Sequence, residues 1–505
     1  MTRSLRRTVP LLAALAVHLP RTLFAQGAPP ASPTTPAPAS GSPAAAPGSS
    51  ITIPGPASSA PGSAQAPAIP ASPAAPGAEP TRAADSSASA AASTDALEQR
   101  IRILERRWEV EQEVLAEKKT EERKNPPGVA VAYGKDGVAI RSPDGKFQFR
   151  LRPVVQTDAR FFVKSGSDTF LLRRVRPVIE GTAFEFFDWR MMPELAGTPN
   201  VQDAFVNVRL LREVQLRGGK FKPPVGLERL QSDPDLMLIE RGLPTNLVPD
   251  RDVGVMLHGE LLDGAIAYAG GVFNGVGDGV NGDTDNNDKK DLVGRLWVRP
   301  FAPFSIAALD KLGFGIAATR GTQVGPPAGY RTTGQQTFFS YSDGSWAGGT
   351  HRRIAPQASY YVGPFGIFAE YVRSSQIMMN QSATARVDHD AWQVEGSFFL
   401  TGEDASYGTV TPKNQLDPEH GKFGAFEIAA RIGRLRIDSG AFTNKFADPT
   451  KSASKAKDWA VGLNWHLARN FKLMADYERT SFEGGAKGGD RPDEIVVLTR
   501  LQAAY

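Results

Sequence analysis

FQFRLRPVVQTDARFF, residues 147–162, alternates residue by residue. Phe147, Phe149, Leu151, Pro153, Val155, Ala159 and Phe161 share one parity, and Gln148, Arg150, Arg152, Gln156, Asp158 and Arg160 share the other. A period of two is the signature of a strand, whose successive side chains leave opposite faces. One face of this long strand is greasy and the other carries three arginines, so the fold turns on which medium each face touches.

The pattern recurs to the end of the chain. Sixteen strands can be marked in the sequence, near 147–161, 170–184, 189–195, 201–210, 214–221, 252–260, 265–273 and 291–299, then 312–320, 353–362, 365–373, 391–400, 423–438, 457–467, 471–481 and 494–505. The links alternate between tight turns (EFFD, LLRE, LLDG, VGPFG, ARN) and long loops, notably 222–251 and 321–351. Two links, 300–311 and 401–422, are long although they fall on the short-turn side.

A soluble sandwich would bury the apolar parity in a core, whereas an outer-membrane barrel turns it to lipid and lines a lumen with the polar parity. The last strands favour the barrel. Their apolar parity is aromatic at the ends, as at Trp459, Trp465, Phe471, Tyr477 and Tyr505, which suits girdles at a bilayer interface. Their other parity holds Asn464, His466, Asp476, Glu478, Glu494, Arg500 and Gln502, and reads as a hydrated wall. The chain stops on an aromatic inside a strand, where closure of a barrel satisfies the backbone as lipid demands. An even count of sixteen strands implies a 16-stranded antiparallel outer-membrane β-barrel over 128–505 with a water-filled lumen.

What precedes the barrel is of another kind. Arg3, Arg6 and Arg7 followed by an apolar run and LFAQ read as a signal peptide over 1–25. Residues 26–94, almost all Ala, Pro, Ser, Gly and Thr, cannot offset their ordering entropy and read as a disordered linker. Residues 95–125 read as a helix capped at Ser93, with Leu97, Ile101, Leu104, Trp108 and Leu115 as a short coiled-coil seam interrupted at Glu111. This segment is expected in the periplasm, spanning toward the cell wall. The chain has no cysteine, which removes disulfides, thiolate metal sites and cysteine nucleophiles. With 58 Lys and Arg against 54 Asp and Glu, preference for an ionic partner must come from where charges sit.

Several motifs point elsewhere and are set aside on context. GDGVNG at 277–282 matches G-x-G-x-x-G but no helix pattern follows, and DTDNND lacks the glycine and terminal glutamate of a calcium loop. The histidines lie outside any G-x-S-x-G or H-E-x-x-H context, so no enzyme is expected. No metal or cofactor site is expected either, and no basic run interleaved with aromatics suggests nucleic acid.

The blocks GGKFKPPVGLERLQS (218–232), IERGLPTNLVPDRDVGV (239–255), FNGVGDG (273–279), KDLVGRLWV (290–298), YRTTGQQTFFSY (330–341), SYYVGPFGIFAEYVRSSQ (359–376), GAFEIAARIGRL (424–435) and AVGLNWHLARNFKLMADYERTSF (460–482) resemble the phosphate-selective porin O and P family. The resemblance is collinear over 147–505. It implies a homotrimer of sixteen-stranded barrels in the outer membrane of a Gram-negative bacterium, each with an anion pore narrowed by inward-folded loops. It also carries Lys220, Lys222, Arg229, Arg241 and Arg251 in one loop, and Arg331 in another, as candidate anion ligands. Asp233, Asp235, Glu228 and Glu240 share the first loop and work against a phosphate-tight constriction.

The residues themselves add Arg150, Arg152, Arg160, Arg174, Arg176, Arg209 and Arg217 on the water-facing parity. Arginine stays charged and offers a planar donor fork, so a row of them can pass an oxyanion along a wall. The same arginines could instead pair with Asp158, Glu180, Glu194 and Asp203 and stiffen it. Arg173 breaks parity and is expected on the lipid side, reaching the headgroups. The expected function is passive, anion-preferring diffusion, plausibly of phosphate. The alternatives are a porin of other selectivity or a non-conducting barrel that anchors a periplasmic tail.

Overall fold

The computed structural model describes residues 86–124, 128–285, 287–304 and 306–505, with side chains of the N-terminal helix described over 98–120 only. The expected signal peptide and most of the expected linker lie outside the described residues. The helix, α1, runs Ser86–Lys124, so it begins before Ser93 and that residue lies within it. The run SSASAAAS supplies the extra turns, alanine being the best helix former. Ile101, Leu104, Trp108 and Leu115 are all exposed on it.

Sixteen antiparallel strands close into a barrel. They are β1 Gln148–Lys164, β2 Thr169–Ala183, β3 Phe187–Glu194, β4 Asn200–Arg209, β5 Gln215–Phe221, β6 Asp252–Leu261, β7 Ile266–Phe273 and β8 Asp291–Val298, then β9 Gly313–Gly325, β10 Trp346–Val362, β11 Phe365–Met379, β12 Thr384–Phe399, β13 Ala425–Arg436, β14 Ala453–Ala468, β15 Phe471–Ala486 and β16 Glu494–Ala504. Each pairs with its neighbour, and β16 returns to β1 with Val497 opposite Phe161 and Arg500 opposite Asp158. The Tyr505 amide bonds the Pro153 carbonyl at 3.1 Å, so the last residue is tied to the first strand. Several strands, β10 to β12 among them, run further toward the long-loop end than periodicity suggests. There the pattern loosens because polar residues such as Arg352, Ser375, Arg386 and Asp388 enter the outward parity.

The sequence reading missed one element. A hairpin, Ala130–Gly134 with Gly137–Arg141, pairs through its second strand with residues 148–151 of β1, continuing the edge that β16 leaves. VAVAYG and GVAIR are too short for parity to stand out from their surroundings.

The exterior is the apolar face: Phe161, Leu172, Leu257, Leu296, Ile354, Ile432, Val461 and Leu463 are exposed large hydrophobics. Such a continuous apolar exterior has a stable place in hydrocarbon, not in water. Aromatics cluster toward the short-turn end, where Trp465 stacks on Phe426 at 5.6 Å and Phe471 meets Tyr505 at 6.1 Å.

The interior departs from the hydrated wall expected of the polar parity. Loop 222–251 folds into the lumen and packs on the inner face of β11 to β16. Val225, Leu236, Leu238, Ile239, Leu243, Leu247 and Val248 are buried, against wall residues that include Phe368, Val372, Val387, Leu435, Met474 and Leu498. Each such side chain contributes about 2 kcal/mol relative to exposure. Buried ion pairs come closer to breaking even, so apolar burial dominates the loop's attachment. Wall polar groups read as hydrated are spent on the loop backbone: Asp476 accepts from the Ile239 amide at 2.5 Å, while Asn464 donates to the Met237 carbonyl at 2.7 Å.

Candidate functional site: the lumen constriction

The constriction forms where β1 and β2 face the inserted loop. Arg174 and Arg176 project inward from β2 and converge on Asp233, which also receives Arg241 from its own loop; Arg174 Nη2 lies 3.0 Å from Asp233 Oδ1. Burial works to raise the Asp233 carboxyl, but the charges of Arg174, Arg241 and Arg176 outweigh it and hold the group well below the ordinary carboxylate range. A second knot joins Arg251 to Asp250 at 2.8 Å and Asp203 at 3.5 Å, with Arg229 on Asp250 at 3.0 Å. Burial opposes ionisation of Asp250 too, and Arg251 and Arg229 more than reverse it.

Two cavities meet at these knots. The one toward the short-turn end is lined by Arg152, Arg190, Arg217, Lys222 and Asp235, and the one toward the long loops by Arg173, Arg229, Glu240, Arg241 and Arg331. They share only Arg176, Asp233 and Arg251, so these three side chains mark the narrows.

The candidate residues fall into two sets. Arg152 is paired with Glu180 at 2.9 Å, Arg160 with Glu240 at 3.3 Å, Arg176 with Glu194 at 2.6 Å, and Lys220 with Asp283. Arg209 pairs with Asp188 at 2.7 Å. Together with Arg174, Arg229, Arg241 and Arg251 these are members of ion pairs, and Glu180, Glu194 and Asp203 act as the wall-stiffening partners the sequence allowed. Asp158 serves the same purpose for Arg500, at 2.7 Å.

Among the described residues, Arg150, Arg217, Lys222 and Arg331 have no carboxylate within ion-pairing distance. Arg150 bonds the Gln148 side chain at 3.2 Å, and Arg217 lies over Phe205 and Phe221 at 4.5 and 5.5 Å. Lys222 donates to the Gln231 carbonyl at 2.9 Å, and Arg331 is exposed and held through its backbone by Asn246. Desolvation, with Arg241 and Arg251 nearby, drives the Lys222 amine well below its ordinary value. Asp235, in the same loop as Lys222 and with no cation within ion-pairing distance among the described residues, is raised by burial.

Arg173 is not on the lipid side. Gln156 pairs with Arg174 and Thr157 with Leu172, so Arg173 is the extra residue of a β-bulge, which turns it inward onto Glu240 at 2.5 Å. Period-two counting places it wrongly because it assumes no insertion.

A second feature escaped the sequence. Segment 401–422, on the short-turn side, rises to the constriction loop: the Tyr407 hydroxyl donates to the Leu227 carbonyl at 2.6 Å, Gln231 to the Tyr407 carbonyl at 2.9 Å, and Thr409 to Asp235 at 2.8 Å. Its unusual length was the only signal.

A closed sixteen-stranded barrel with an apolar exterior, a charged lumen and an inward loop defines an outer-membrane porin. Residues 147–505 match the family described as Phosphate-selective porin O and P, and the chain belongs to it. Its place is the outer membrane of a Gram-negative bacterium. The chain is similar to Porin O of Pseudomonas aeruginosa, 23% identical over 416 residues that cover 74% of this chain and 91% of the relative. Solved structures similar to it include the outer membrane channel DcaP of Acinetobacter baumannii (9% identity, 72% of this chain, 99% of that one, TM-score 0.48) and an anion-selective porin from Comamonas acidovorans (12%, 71%, 100%, 0.46).

Proposed function

We propose that the porin prefers anions and passes phosphate or similar small oxyanions by diffusion, as a homotrimer. The observation that carries this reading is the carboxylate-free set Arg150, Arg217 and Lys222. Arg150 and Arg217 border one cavity beside the short-turn end, and Arg217 and Lys222 border the next, which ends at the narrows. Arg331 stands at the opposite vestibule. Arginines without carboxylate partners keep free donor edges for an oxyanion, whereas those bound to Asp233 or Glu240 are already neutralised. Lys222, whose burial weakens its hold on a proton, would hold it more firmly beside an anion.

The ion-paired narrows favour weak over tight selectivity, so a general diffusion porin is the second reading. The description of the family supports phosphate as the first substrate to try. Planar-bilayer recording separates the possibilities. A reversal potential on the anion side in a KCl gradient, with chloride current blocked by phosphate, is expected. Anion preference without block would leave a general anion pore, and silence would favour a barrel that only anchors its tail in the periplasm, toward the cell wall.

A further inference from the structure

We propose that a second cleft at the short-turn end of the lumen, off the conduction path, binds planar organic anions of the aromatic carboxylate class. The cleft is lined by Arg295, Trp297 and Arg299 of β8 and its continuation, by Lys311, by Tyr361 of β10, and by Tyr407 of the rising segment. It shares only Ser406 with the short-turn-side cavity of the pore and no lining residue with the long-loop one, so segment 405–407 stands between the cleft and the pore. This proposal goes beyond permeation and does not depend on the pore's selectivity.

The lining is built for a flat anion. It holds three cationic side chains and no carboxylate. Trp297 lies against Gly313 and Gly315, where a Cβ on either glycine would fall 2.4 Å from the indole, and Tyr361 lies against Gly366, where a Cβ would fall 2.9 Å from the ring. Missing side chains on the wall thus let two aromatic rings lie flat. The Arg295 guanidinium sits 5.2 Å from the Trp297 centroid and spends Nε and Nη2 on Gln357 Oε1, at 3.2 and 3.1 Å, which leaves Nη1 uncommitted among the described residues. Arg299 is turned to the Gly264 carbonyl, Lys311 is exposed, and the buried Tyr361 hydroxyl has no hydrogen-bond partner among the described residues.

A ring can stack on such faces while its carboxylate takes the Arg295 edge and the Lys311 ammonium. A cavity of about 380 Å³ is at the small end for ligand sites, which suits one ring. Inorganic phosphate would gain the charges but not the aromatic floor.

The test is calorimetric titration of the full-length protein in detergent with benzoate, with acetate and inorganic phosphate as comparators. Expected are saturable benzoate binding at one site per chain, acetate and phosphate weaker by about tenfold or more, and a loss of about tenfold in Arg295→Gln. Lys311→Gln, an exposed change that leaves the wall intact, should weaken benzoate as well, and Arg295→Lys should fall between. Heat-modifiable gel mobility checks that each variant is folded. No saturable benzoate binding, equal binding of acetate, or unchanged affinity in both Arg295→Gln and Lys311→Gln would overturn the site. Bound benzoate should leave chloride conductance unchanged, and a block at the concentrations that saturate the site would overturn its separation from the pore. Because binding is read without current, the outcome is independent of whether the pore prefers anions.

Discussion

Arg173 Nε lies 2.5 Å from Glu240 Oε1 and its Nη2 3.0 Å from Glu240 Oε2, a fork closed across the lumen by the one extra residue in β2. Arg160 at 3.3 Å and Arg500 at 3.5 Å reach the same carboxylate, so Glu240 ties the loop tip to β1, β2 and β16. Neutralising it leaves three guanidiniums around an amide, at a cost of about 3 kcal/mol to the loop's attachment. Glu240→Gln should therefore loosen the loop without unfolding the barrel. Single-channel recording should show higher conductance and noisier open current; a quiet channel of unchanged conductance would mean that apolar packing alone holds the tip.

Arg217 offers the sharpest test of the anion path, since it is stacked on Phe205 and Phe221 and has no carboxylate within ion-pairing distance among the described residues. A charge-assisted hydrogen bond is worth about 1.5–3 kcal/mol, so Arg217→Gln should raise the phosphate concentration for half-block roughly tenfold. Arg150→Glu should move the reversal potential toward cations. Arg152→Glu should do less for selectivity and more to the wall, because Arg152 is held by Glu180. Equal shifts from Arg150 and Arg152 would refute the division between free and paired cations.

These distinctions mark what the chain discloses on its own. Strand positions were legible because lipid on one side and polar groups on the other impose a strict alternation, as in VQTDARFF. Closure was legible in the even count of strands. The bulge at Arg173 was not, since an insertion shifts parity without leaving a local mark. Nor was the pairing of Arg174, Arg176 and Arg241 on Asp233, which joins residues 57 to 59 positions apart with others eight positions apart through a loop conformation. The packed inner wall was also hidden: Leu498 and Val496 share the parity of Arg500, and only the inserted loop explains apolar residues there.

Two loop carboxylates give the pore a signed pH response. Asp235 has its pKa raised by burial, so acidification neutralises it before an ordinary carboxylate, and the lumen loses a negative charge. Lys222, lowered by desolvation, holds its proton less firmly than an ordinary lysine, so acidification favours its charged form as well. Anion preference should therefore rise on acidification, and Asp235→Asn should flatten part of that rise, as read from reversal potentials. Asp233 behaves oppositely. Its folded pKa lies below the unfolded value of 3.8, so its stabilisation is present above that value and is lost only as pH falls through the lower one. The loop's attachment should therefore hold through pH 4, with open-channel noise rising only in stronger acid; a rise in noise near neutrality would mean that Asp233 is not the anchor.

The exposed seam of α1 leads to a final expectation. Ile101, Leu104, Trp108 and Leu115 are spaced for a partner helix, yet Glu111 interrupts them and an isolated pairing of this length is marginal. Trimers, if the barrels make them, would bring three such helices to high effective concentration, so the seam would assemble as a consequence and not a cause. Deletion of residues 27–125 should leave heat-modifiable barrels and the oligomer on native gels intact, with conductance unchanged. Loss of the oligomer in the deletion, together with its retention in a variant changing only Trp108→Ser, would show that the segment contributes through something other than its seam. Loss in both would make the coiled coil the driver of assembly.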